Sequence, residues 1–205
     1  MIIRLPMSIA AAAILGGCAA GPQAPTPSHN HVHQMEPPAT SLPGESLYQL
    51  PADLDSATGD HVALASLAGT PVVVAMFYSS CTTVCPMLTL QMQRFEAALD
   101  PVERFRVRFV MISLDAERDT PSKLAAFAAE HHVDASRWVI AHAAPANVRS
   151  IAAALGVRYR QLPDKSFSHS ALITLLDSRG VPVARTQLLA GDDPAFMAAL
   201  RASLR

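Results

Sequence analysis

The chain has 205 residues, half of them hydrophobic, which suffices for one domain with a substantial core plus some additional sequence. No apolar stretch is long enough for a membrane span. Lys and Arg number 16 against 17 Asp and Glu, a formal net charge of -1, and no basic cluster stands out along the chain; a nucleic-acid-binding protein is excluded on that ground.

Residues 1–17 read as an export signal, with Arg4 as the positive n-region and Met7 to Leu15 as a short apolar stretch. Leu15-Gly16-Gly17-Cys18 resembles the lipobox of bacterial lipoproteins, which implies a lipidated Cys18 as first mature residue and a membrane-anchored, extracytoplasmic protein, periplasmic in a Gram-negative bacterium. The alternative is a simple signal peptide cleaved near Ala19-Ala20. With Cys18 assigned to lipid, two cysteines remain, Cys81 and Cys85, four positions apart. In an oxidising compartment such a pair serves as a disulfide, a metal site, or both by turns.

Residues 18–44 form the anchor and a tether rich in Pro, Ala, Ser, Thr and Gln, without apolar periodicity. The tether carries His29, His31, His33 and Met35, whose imidazoles and thioether suit transient copper binding. Ordinary polar linker sequence explains them equally well.

The globular pattern runs from residue 45 to 205. Residues 47–50 and 61–65 read as short strands of an N-terminal hairpin around a turn at 55–60. Val72 to Tyr78 is a compact β-branched run that suits a strand buried on both faces. After Pro86, apolar residues recur at helical spacing to about Leu99, where Asp100-Pro101 ends the helix. Phe105 to Leu114 reads as a strand and Asp115 to Thr120 as a loop, and Pro121 opens a helix that Thr120 caps. A strand at 138–141 and a helix at 146–155 closed by Gly156 follow. Residues 171–176 and 181–188 form a hairpin, and Asp193-Pro194 caps a last helix. The alternation predicts an α/β fold with a central mixed sheet flanked by helices. A cysteine pair directly behind the first long core strand narrows this to a thioredoxin-like fold.

The pair lies where that strand hands over to a helix. Thr82 or Thr83 is positioned to cap the helix, whose free N–H groups favour an anion and so lower the thiol pKa values. Two cysteines are an incomplete site for most metals. His61 and His142 fall at strand termini, and His131 and His132 end a helix. His169 instead precedes the strand beginning at 171, a place that lies beside the cysteine motif in thioredoxin-like folds and that holds a cis-proline in thioredoxins.

Three segments, Val72 to Pro86, Ile112 to Pro121 and Ser168 to Gly180, resemble the Sco/SenC family of copper chaperones and thiol oxidoreductases. The resemblance covers residues 45–205. It implies Cys81, Cys85 and His169 as ligands of one copper ion, Cu(I) or Cu(II), with Asp115 as the family's acidic residue near the site. It also implies a partner, the copper-accepting subunit of a cytochrome oxidase or similar enzyme, served by a monomer. Two soft thiolates and an imidazole agree with copper. Zinc ranks lower, because only three ligands are visible and no general base is placed. Asp115 reads equally as a plain carboxylate in an Asp-rich loop.

The expected function is therefore delivery of copper to the binuclear copper centre of cytochrome oxidase. The alternative is a thiol-disulfide oxidoreductase that cycles Cys81 and Cys85 to keep the target's cysteines reduced. A peroxidase is excluded, since Met76 to Ser80 lack the P-x-x-x-T-x-x-C pattern such enzymes place around their nucleophile.

Overall fold

The computed structural model describes residues 42–134 and 137–205. The export signal, Cys18 and the tether residues His29, His31, His33 and Met35 lie outside the described residues. The centre of the fold is a seven-stranded mixed sheet in the order β2-β1-β5-β4-β3-β8-β9. Its strands are β1 (Asp53–Ser56), β2 (His61–Ala63), β3 (Val72–Phe77), β4 (Arg108–Ser113), β5 (Trp138–Ala143), β8 (Ile173–Leu176) and β9 (Pro182–Thr186). A separate antiparallel pair, β6 (Tyr159–Gln161) and β7 (Phe167–His169), precedes β8. The helices are α1 (Val84–Ala97), α2 (Pro101–Phe105), α3 (Pro121–Glu130), α4 (Pro145–Leu155) and α5 (Pro194–Ser203). Strands β3, β4 and β5 run parallel, and β8 pairs antiparallel with β3. This is the predicted thioredoxin-like arrangement, and no helix among the described residues is long and apolar enough to cross a membrane.

All six residues of β3 are buried, and its period-two alternation divides them between two cores. Val73, Ala75 and Phe77 pack with Leu88, Met92 and Phe95 of α1, Phe127 of α3 and Phe196 of α5. Val72, Val74 and Met76 face the opposite layer, with Val148, Ile151 and Leu155 of α4. A strand clamped from both sides holds its C-terminal end, and the loop that follows, in a fixed place.

Several elements differ from the sequence reading. Leu47–Gln49 is a 3-10 turn, not a strand, because the Ser46 side chain accepts from Tyr48 N and curls the segment. The first strand of the hairpin is instead β1, where Leu54 and Ser56 turn inward and the two aspartates outward. Asp100 does not merely end α1: it starts α2 through a capping box with Glu103, so the next strand begins only at Arg108. Gly156 closes α4 as expected, at φ 81°. Gly180, in the β8–β9 turn, has φ 79°, and a Cβ there would come within 2.5 Å of the Tyr48 ring.

Candidate metal centre

The end of β3, the start of α1 and the end of β7 converge on one point. Sγ of Cys81, Sγ of Cys85 and a ring nitrogen of His169 all lie within 4.8 Å of one another, and among the described residues no other group of His, Cys, Asp and Glu gathers so closely. Both cysteines are free thiols. Cys85 is completely buried, whereas Cys81 and His169 are half-buried, so the site opens to solvent on the side of these two.

The start of α1 departs from the expected cap. Thr83 occupies the N-cap position, yet its side chain makes no capping bond. Cys81 Sγ takes that role, accepting from Cys85 N at 3.4 Å. Pro86, the third residue of the helix, has no N–H to satisfy, so the sulfur meets the few donors left at this end.

The two sulfurs consequently ionise in opposite directions. The hydrogen bond from the Cys85 side chain lowers the Cys81 thiol most, from an ordinary 9.0 down to about 3, against the opposing effect of burial; His169 and the amides of Thr83 and Cys85 add to the lowering. The same sulfur–sulfur hydrogen bond, followed by burial, pushes Cys85 far up. The reduced pair thus shares one proton, held on Cys85.

His169 ends β7, opposite Tyr159 in the ladder. Its Nδ1 lies 3.1 Å from Ser170 O, and since a carbonyl only accepts, Nδ1 carries the proton. Nε2 lies 3.7 Å from Cys85 Sγ. A ring nitrogen donating to a backbone carbonyl while the other points into a donor cluster is the usual posture of a metal-ligating histidine. Tyr78 braces this strand: its hydroxyl donates to Phe167 O at 3.3 Å, and its ring meets that of His169 edge-on at 6.0 Å.

Asp115 is buried and bound to Arg118 Nε at 2.6 Å, while burial raises its pKa. The carboxylate bonded to the cysteine loop belongs to Asp119, which the sequence reading did not single out. Its Oδ2 accepts from Ser79 N at 2.9 Å and from Ser113 Oγ at 2.5 Å, and its Oδ1 accepts from Ser79 Oγ. Asp119 therefore ties the turn before Cys81 to the end of β4. Tyr78 and Asp119 are both missed by pattern reading, the first because it looks like one more core residue. His61 and His142 lie apart from the centre, on either side of Asp55; His61 Nδ1 bonds one carboxylate oxygen, and His142 Nε2 stands 3.8 Å from the other. His131 closes α3 against Phe127.

Comparison with known proteins finds relatives in sequence and in fold. A family model described as SCO1/SenC matches residues 42–204. A SCO1 protein homolog of Bacillus subtilis (strain 168) is 31% identical over 88 residues, a stretch that is 43% of this chain and 45% of the relative, less than half of its length. The structure of Bradyrhizobium japonicum ScoI with copper bound superimposes with a TM-score of 0.64 at 25% identity, over 75% of this chain and 98% of that one. A SCO1/SenC family lipoprotein from Bacillus anthracis str. Ames does so with a TM-score of 0.67 at 19% identity, over 76% and 95%.

Proposed function

The chain belongs to the SCO1/SenC family, and from that membership we propose that it is an extracytoplasmic metallochaperone that carries one copper ion between Cys81, Cys85 and His169. It delivers this ion to the binuclear copper centre of cytochrome oxidase, or of a similar copper enzyme, during assembly. The observation that carries the reading is the meeting of His169 with two sulfurs 84 and 88 positions earlier in the chain, all three donor atoms within 4.8 Å. Two thiolates and an imidazole form a soft donor set that suits copper, with either Cu(I) or Cu(II) accommodated.

Copper is cargo here, and the residues divide the work of holding and releasing it. Cys81 is already a thiolate at neutral pH, so it offers the entering ion its first ligand without losing a proton. Cys85 must give up its proton on binding, and loading therefore releases about one proton per ion. With Cu(I) the three donors and the ion sum to one negative charge, which the helix-start amides at Cys81 Sγ offset. Partial exposure of Cys81 and His169 gives an acceptor's ligands a way in, so the ion passes by stepwise ligand exchange.

The Bradyrhizobium japonicum neighbour holds copper, which supports the choice of metal. The Bacillus anthracis neighbour is a lipoprotein, which supports an anchor at Cys18. The asymmetric thiol pair, an accessible thiolate beside a buried thiol, favours a second reading as a thiol-disulfide oxidoreductase acting on the target's cysteines. His169 ranks that reading below the first, since such chemistry needs no imidazole ligand.

A copper titration of the reduced chain tests the proposal. Wild type is expected to bind one ion tightly, Cys85→Ser to lose it, and His169→Ala to bind at least ~10-fold more weakly while the disulfide still forms. An unchanged copper affinity and copper–thiolate absorption in His169→Ala would overturn the ligand assignment. Turnover of an oxidised target peptide without copper transfer would favour the oxidoreductase.

A further inference from the structure

The chain has no basic run, yet the fold brings Arg149 to the same cleft as Arg158 and Arg160. Arg149 of α4 joins Arg158 and Arg160, on either side of Tyr159 in β6, in the wall of a cleft of about 670 Å³ floored by Val148, Tyr159 and Phe167. Arg158, Tyr159 and Arg160 also border a second depression of about 360 Å³, whose far side is Ser168, His169 and Ser170. Among the described residues the arginine ion pairs engage Arg118, Arg137, Arg179 and Arg201 and none of these three. Two carboxylates line the larger cleft: Asp115 is paired with Arg118, which leaves Glu117 as the single counter-charge.

We propose that this face of the β6–β7 hairpin docks an acidic polypeptide segment of the copper acceptor. The inference rests on the copper-transfer reading and adds to it the surface and the charge by which the partner is recognised. An acceptor that takes the ion must reach the donor atoms. Cys85 is closed off, so the approach runs over Cys81 and His169. Arg158 and Arg160 line the same depression as His169, so a partner seated in it meets both arginines on its way to the site. An occupant that contacts all three arginines and reaches His169 extends across both depressions, which a chain of carboxylates does and a single small anion does not. Charges of this kind at an interface rim set the association rate and its salt dependence more than the final affinity.

The test uses the copper-loaded full chain and, as probe, the reduced metal-free soluble domain that carries the binuclear copper centre of cytochrome oxidase. Binding is read by calorimetry and transfer by stopped-flow absorption. Arg158→Glu/Arg160→Glu is expected to load copper like wild type, to transfer it about tenfold more slowly at low salt, and to lose most of the salt dependence. Arg106→Glu/Arg205→Glu, an equal change of charge outside the cleft, is expected to transfer at nearly the wild-type rate. Hexaglutamate is expected to slow wild-type transfer, and inorganic phosphate at equal charge to leave it unchanged. Failure of wild type to load copper defeats the chaperone reading itself. A loaded wild type that does not bind the domain, equal rates in the cleft variant and wild type, or equal slowing by the control pair would each overturn the docking surface; equal competition by phosphate would overturn the polypeptide as its occupant.

Discussion

Cys81 and Cys85 are the same residue type four positions apart, and what separates them is which one donates the hydrogen bond between their sulfurs and which one is buried. Cys81 Sγ accepts from the Cys85 thiol and from backbone N–H groups, and Cys85 is fully buried, so the negative charge settles on Cys81. The direction of the shift fixes a pH profile. An ordinary thiol loses roughly a hundredfold in thiolate, and hence in alkylation rate, between about pH 8 and about pH 6. Cys81, lowered to about 3, stays ionised throughout that window, so its alkylation in the reduced, metal-free chain is expected to change less than about threefold. Mass spectrometry of the Cys81 peptide distinguishes it from Cys18, and a rate that falls tenfold per pH unit would refute the assignment. Asp119 carries the second expectation at this scale. Asp119→Ala leaves Ser79 N and Ser113 Oγ without the acceptor they share, a loss of about 1–3 kcal/mol in urea unfolding. Because Ser79 lies two residues before Cys81, copper affinity is expected to fall about tenfold as well. An unaffected affinity in a competition titration would show that the loop is held by other contacts.

At the scale of elements, legibility followed length and periodicity. β3 and α1 could be read from the sequence because β-branched residues run unbroken through one and apolar residues repeat at helical spacing in the other, and both patterns are what the two cores demand. Short elements escaped. β6 and β7 are three residues each with partly exposed side chains, so neither shows the alternation that marks a strand. β1 hid behind two aspartates that suggest a turn until its inward Leu54 and Ser56 are seen. The site divides along the same line. The cysteines announced themselves by spacing, and His169 by its place before β8, although the strand that carries it was invisible. Asp119 was not legible, because the loop from Asp115 to Thr120 offers more than one carboxylate and only the pairing of β3 with β4 decides which one reaches the turn before Cys81.

On the scale of the whole molecule, the donor atoms join two parts that are otherwise lightly connected. α1 is packed into the main core, whereas the β6–β7 hairpin lies outside the seven-stranded sheet and, among the described residues, its two strands pair only with each other. Its ties to the rest include the Tyr78 hydroxyl on Phe167 O and the Arg118 guanidinium on Lys165 O. A segment with few buried contacts opens locally at a free energy well below that of global unfolding. An ion held by Cys81, Cys85 and His169 adds a cross-link between the helix start and the end of β7, and ligand binding to the folded state stabilises by mass action, about 2.7 kcal/mol at a free concentration a hundred times Kd. Copper loading is therefore expected to slow amide exchange across residues 159–161 and 167–169 more than in β3, whose six residues are all buried. Removing the ion with a chelator should restore the faster exchange. In His169→Ala, ion bound through the two sulfurs should protect the start of α1 and leave the hairpin unchanged. If the loaded wild type also showed unchanged hairpin exchange, His169 would not be holding the ion in solution, and the cross-link between the two parts would have to be abandoned.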